Sequence, residues 1–147
     1  MSHMYKTLDG STYKIVGDPQ RRKVYAWEDK HIAKYDTKLM TLDEAQDFIN
    51  FVWYTSGRDH PPCVNLARKN ARKATGSRLK ITIPEKMLYR WILLHEVAHS
   101  FTSDVNGASH QHGPKFMKVY ISLLEKHLCI PLPLLMYTVK EAGVKVD

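Results

Sequence analysis

The stretch Leu94-His95-Glu96-Val97-Ala98-His99-Ser100 constrains this chain more than any other. It lies in an apolar run, Leu88, Trp91, Ile92, Leu94, Val97, Ala98 and Phe101, whose spacing predicts a largely buried helix. Residues four apart on a helix share one face, one turn above the other, so His95 and His99 aim their ring nitrogens at a single point. Two unpartnered imidazoles in such a place would be costly. A satisfied pair of core histidines is one way to meet that cost, and a metal ion shared by both rings is the other. Glu96, one residue round from His95, can border the same point without being a ligand, which is where a general base must stand to take a proton from a metal-activated water. These residues form the H-E-x-x-H pattern of zinc hydrolases.

A catalytic zinc ion takes three protein ligands and leaves a position for water, so a further ligand is needed beyond the helix. The metzincin spacing would put Gly and His where Thr102 and Val105 stand, which excludes it. Downstream lies His110-Gln111-His112-Gly113-Pro114-Lys115-Phe116. His112 is the choice: it stands just before Gly-Pro, and because Pro is favoured at the first helical position, His112 would project from a helix entrance of fixed backbone. His110 is the runner-up. Asp104 is too near His99 to fold back, and Glu125 falls on an exposed position of the following helix.

H-E-x-x-H, a short connection and then H-G-P-x-F resembles the SprT-like metallopeptidases, and that resemblance implies that the His of H-G-P, here His112, is the third zinc ligand. A nearer likeness is to a little-characterised group of bacterial and phage metallohydrolases. It is carried by Gln20-Arg21-Arg22-Lys23-Val24-Tyr25-Ala26-Trp27-Glu28, Thr41-Leu42-Asp43-Glu44-Ala45, Trp91 ahead of Leu93-Leu94-His95-Glu96, and Glu141-Ala142-Gly143-Val144. The likeness runs from about Gln20 onward, and only the two metal motifs carry chemistry. The connection from His99 to His112 is short for SprT-like enzymes, and neither a zinc ribbon nor a DNA-binding tail follows, so DNA-linked substrates do not carry over.

The 147 residues suit a single domain, 5–147, with Met1-Ser2-His3-Met4 set aside as an expression-tag remnant. With 44% hydrophobic and 25% charged residues the composition is that of a globular protein. No charged-then-apolar leader and no apolar run near ~18 residues is present, so neither secretion nor membrane spanning is expected. Cys63 and Cys129, isolated and far apart, are expected to be small buried residues rather than a disulfide, which points to a reducing, cytoplasmic compartment.

Tyr5 to Val16 suggests a short hairpin turning at Asp9-Gly10, with Thr12, Tyr13, Ile15 and Val16 as strand formers. Asp18-Pro19 reads as a helix entrance, with Val24, Trp27 or Glu28, His31 and Tyr35 on the apolar face of a helix over 20–35 whose first turn is basic. Thr41 and Glu44 form a capping box for a helix to about Tyr54, with Ala45, Phe48, Ile49, Val52 and Trp53 facing the metal helix. His60-Pro61-Pro62 breaks the chain before a strand at Cys63–Ala67. The basic run Arg68-Lys69-Asn70-Ala71-Arg72-Lys73, continued by Arg78 and Lys80, contains Thr75-Gly76-Ser77 as a turn signal and precedes alternating Leu79, Ile81 and Ile83. These features predict a hairpin with a charged tip, and its Leu79–Ile83 edge could pair with an extended peptide. Ser103 to Ser109 reads as a loop returning His112 to the ion, and Pro114 to His127 as a helix with Phe116, Met117, Tyr120, Leu123, Leu124 and Leu128 buried. His127 is expected at the surface. Ile130 to Tyr137 should wrap the core, with room for a short helix.

These elements predict an α+β fold, three or four helices on a small sheet, with one Zn2+ held by His95, His99 and His112. The expected activity is hydrolysis of a polypeptide, with Glu96 as general base and His110 or Tyr137 as oxyanion donor. Two rivals share the composition. One is a basic domain with a structural zinc that binds nucleic acid or an acidic partner through Arg68 to Lys80, as the net charge of +7 allows. The other is a hydrolase of non-peptide amides or esters.

Overall fold

The computed structural model describes residues 17–147, together with the backbone of two short strands at 3–6 and 12–15. Those strands, β1 (His3–Lys6) and β2 (Thr12–Ile15), pair antiparallel, with His3 opposite Ile15. The hairpin is therefore present and begins at His3, within the stretch set aside as a tag remnant. Asp9-Gly10 and Val16 lie outside the described residues.

The helix expected over 20–35 has three geometries in series: α1 (Arg21–Trp27), a π turn (Glu28–Ile32) and a short 3-10 turn (Ala33–Tyr35). A π turn adds one residue to the helical repeat, and here Trp27 and Glu28 are both buried although the α-period offers the core one position. The buried positions are Val24, Trp27, Glu28 and Ile32, while His31 is half-buried and Tyr35 exposed. Asp18 does not cap α1 with its side chain; its carbonyl accepts from Arg21 N at 3.2 Å and its carboxylate is used elsewhere.

Helix α2 (Leu42–Thr55) begins on the capping box: Thr41 Oγ1 accepts from Glu44 N and Thr41 N donates to Glu44 Oε1, both at 3.1 Å. It buries Ala45, Ile49, Val52 and Trp53, and the Trp53 ring stacks on Phe101 of α3 (Arg90–Phe101) at 4.3 Å. Helix α3 is the centre of the molecule. Every residue from Ile92 to Ala98 is buried, which satisfies the all-round apolar run of the sequence. Its first turn has no local side-chain cap. The buried carboxylate of Asp36 supplies one from a distance, accepting from Arg90 N at 2.5 Å.

The sheet differs from the expected hairpin. Its order is β3 (Cys63–Leu66), β5 (Lys80–Ile83), β4 (Thr75–Gly76), with β3 parallel to β5 and β4 antiparallel to it. The basic run is a crossover between parallel strands, and the tight turn is Ser77 to Leu79, closed by Ser77 N donating to Lys80 O at 2.9 Å. Thr75-Gly76 is strand rather than turn. A Cβ on Gly76 would lie 2.6 Å from the carbonyl oxygen of Glu96, so this glycine serves the close approach of β4 to α3. Ser100 Oγ, donating to Ser77 O at 2.5 Å, ties the same two elements together.

Helix α4 (Pro114–Leu128) starts with Pro at its first turn and buries Phe116, Met117, Tyr120, Leu123 and Leu124, with Leu128 half-buried. His127 is half-buried against the Phe48 and Phe51 rings rather than open to solvent. The chain then forms α5 (Leu132–Glu141), docked through Trp27 Nε1 donating to Thr138 Oγ1 at 2.9 Å. The fold is α+β, with five α-helices among the described residues around one core. Cys63 and Cys129 are free, as expected, but exposed rather than buried. Val64, not Cys63, is the inward position of β3, and Cys129 stands at the left-handed end of α4 (φ 56°), past its apolar stripe. Among the described residues no helix is long and apolar enough to cross a membrane.

Candidate metal centre

Helix α3 presents His95 and His99 one turn apart, and the loop from 102 to 113 brings His112 to meet them at the entrance of α4. His95 Nε2 is 3.1 Å from His112 Nε2, and His99 Nε2 is 3.2 Å from the same atom. Three ligand atoms thus converge, and the cluster can hold a metal ion. Ligands at 2.0–2.1 Å from a tetrahedral ion are about 3.3–3.4 Å apart, so only a small adjustment of the rings is needed.

The outer nitrogens decide what the inner ones can do. His95 Nδ1 is 2.6 Å from Glu28 Oε2, and His112 Nδ1 is 2.6 Å from Asp18 Oδ2. Protons held on the Nδ1 atoms by these carboxylates leave the Nε2 atoms as the ones available, once each ring is neutral, to donate lone pairs to a cation between them. Glu28 Oε2 also accepts from Tyr120 Oη at 2.7 Å, and Asp18 Oδ1 accepts from His112 N at 3.3 Å, so each orienting acid is itself fixed. The His99 ring stacks on Phe116 at 4.4 Å.

Burial works against charge on His95, but Glu28 and Glu96 more than offset it and raise this imidazole to about 9. Burial and the two neighbouring rings lower His99 to about 2, and burial lowers His112. Without an ion His95 thus holds a second proton while His99 and His112 are neutral, so binding a cation at the three rings releases that proton from His95. Glu96, beside the cluster and itself buried, is raised to about 7 by burial, with Glu28 adding and His95 opposing.

The cluster opens into a cleft of about 350 Å³ whose walls include Arg21, Tyr25, Lys73, Thr75, Gly76 and Glu96. Other sequence candidates do not reach it. His110 lines a separate cavity with Phe101 and Lys115, and its backbone N–H donates to Thr102 O. Asp104 is buried, but its Oδ1 accepts from Asn106 N and Ala108 N at 2.9 Å and so shapes the returning loop. Glu125 is exposed on α4. Tyr137, proposed as an oxyanion donor, is exposed on α5 and donates to Glu141 Oε1 at 3.0 Å. Strand β5, the expected substrate edge, has a partner on each side, and the edge at the cleft is β4.

Tyr25 was not foreseen at the site. Its ring lies edge-on to His112 at 5.2 Å and stacks on His95 at 6.0 Å, with the Arg21 guanidinium 5.9 Å above it. Burial, then Glu96, raise its hydroxyl above the usual tyrosine range, so it remains a proton donor. One signal was available: Arg21, Tyr25 and Glu28 follow at helical spacing, a polar stripe beside the apolar one. Comparison with protein-family profiles, with curated proteins and with solved structures finds no match.

Proposed function

We propose that the protein is a zinc-dependent metallopeptidase of the H-E-x-x-H type, as its resemblance to SprT-like enzymes implies. The observation that carries this reading is the meeting of three histidine Nε2 atoms beside the buried Glu96 in the wall of an open cleft. His95, His99 and His112 would hold the zinc ion, which would supply Lewis acidity to polarise a carbonyl and to lower the pKa of water towards about 7. Glu96 accepts the proton of the attacking water and passes it to the departing amine. The Tyr25 hydroxyl replaces His110 and Tyr137 as donor to the negative charge that grows on the carbonyl oxygen. An extended substrate pairs with the free edge of β4, whose Thr75 and Gly76 wall the cleft.

The deciding variant is Glu96→Gln, which preserves volume and removes the base. Zinc content and fold should be retained while cleavage of an unstructured protein such as casein falls by about 10²–10⁴-fold. Activity equal to wild type would sink the assignment.

The exposed Arg68, Lys69 and Arg72 lead towards Lys73 on the cleft wall, which supports a sequence-independent contact with nucleic-acid phosphates. Titration of a labelled oligonucleotide should show affinity falling steeply between about 50 and 200 mM salt. A flat salt response would remove that partner.

A further inference from the structure

The far side of the reaction centre holds a second cavity of about 330 Å³ that shares Tyr25, Lys73, Ala74, His95 and Glu96 with the metal cleft. The two are halves of one depression that meet at these residues. They differ in chemistry. The first adds polar residues to the shared ones, Asp18, Arg21, Thr75 and Gln111 among them, whereas the second adds the apolar Met87, Trp91 and Ile92. Ile92 is buried, and Met87, Trp91 and Ala74 are half-buried and packed against the core, so the walls are fixed by the fold. Glu28 also borders this cavity, but it is buried and its Oε2 is committed to His95 and Tyr120. The exposed Asp29 and Lys73 carry opposite signs at its rim, and the buried Glu28 and Glu96 on its wall disfavour an anionic occupant.

We infer that this cavity is the side-chain specificity pocket of the enzyme and takes a large apolar residue, aromatic or long aliphatic, directly beside the scissile bond. The inference rests on the peptidase reading for its substrate, and on the juxtaposition of pocket and metal ligands for its site. A chain lying along β4 with its carbonyl at the histidine cluster has one neighbouring side chain within reach of the Glu96 side of the depression. An aromatic or leucine side chain fits the volume and displaces water from the apolar walls, whereas alanine leaves them wet. Lysine would place a charge against Trp91 and Met87.

Two measurements test this separately from the activity itself. In the first, glycine, alanine, lysine, leucine and phenylalanine hydroxamates are titrated calorimetrically into the zinc-loaded protein. Leucine and phenylalanine hydroxamates should bind at least about ten-fold more tightly than alanine hydroxamate. Met87→Trp fills the pocket and should cancel that difference, leaving alanine hydroxamate within about two-fold of wild type. In the second, quenched peptides varied at both residues flanking one amide should show the same apolar preference at one of the two positions. Hydroxamate discrimination without peptide cleavage would remove the peptidase reading and keep the pocket. Peptide cleavage indifferent to both flanking residues, or hydroxamates that bind alike or not at all, would overturn the pocket.

Discussion

At the scale of single residues the site depends on acids that never touch the ion. Glu28 is buried at the start of the π turn, and one of its oxygens serves both His95 Nδ1 and Tyr120 Oη. Such outer partners fix the tautomer and the aim of the ring, and their loss costs about 10–100-fold in metal affinity. Glu28→Gln keeps the shape and removes the charge. Competition against a chelating dye should therefore show zinc affinity reduced by about 10–100-fold with an unchanged circular-dichroism spectrum, and an affinity within about two-fold of wild type would refute the role. His95, Glu96 and His99 were legible in the sequence because one helical period sets their relation. Asp18 and Glu28 were not, because a carboxylate at a helix entrance or on a helix face reads equally well as a cap or a solvated charge. The contact that assigns Asp18 spans 94 positions of chain.

At the scale of elements, the capping box of α2 and the Pro start of α4 were legible, since both are local. Strand pairing was not. Alternating Leu79, Ile81 and Ile83 predicts a strand but says nothing about its neighbours, and a turn dipeptide is indistinguishable from a glycine chosen for close approach. The structure separates these by contact: Gly76 faces the backbone of Glu96. At an open position with ordinary backbone angles, Gly→Ala stabilises by about 0.4–1 kcal/mol through the unfolded chain. At Gly76 the sign should reverse, because the new methyl group would push β4 off α3 and disturb both Glu96 and the substrate edge. Gly76→Ala should lose about 1–3 kcal/mol in urea denaturation and most of the proposed peptidase activity. A neutral or stabilising outcome would show that the approach has slack.

At the scale of the whole molecule, the histidine cluster lies where distant parts of the chain meet. Gln20 donates to the carbonyls of both His112 and Lys145 and accepts from Lys145 N, so the entrance to α1, the His112 loop and the C-terminal residues form one clasp. Asp147 N donating to Pro114 O extends it to the start of α4. An ion held by His112 and by two residues of α3 would close this clasp onto the central helix. It would stabilise the folded state by its binding free energy, about 2.7 kcal/mol at a hundred-fold excess over the dissociation constant. For a chain of this size that corresponds to a rise in melting temperature of about 5–10 °C. Thermal melts with zinc and with excess chelator should differ by that amount. The His112→Ala variant should lose most of the difference, and its melting temperature should lie below that of the chelated wild type, because the ring also holds Asp18 and packs on Tyr25 and Phe116. If wild type and variant respond to zinc alike, His112 is not a ligand, and the loop returns to the helix for packing alone.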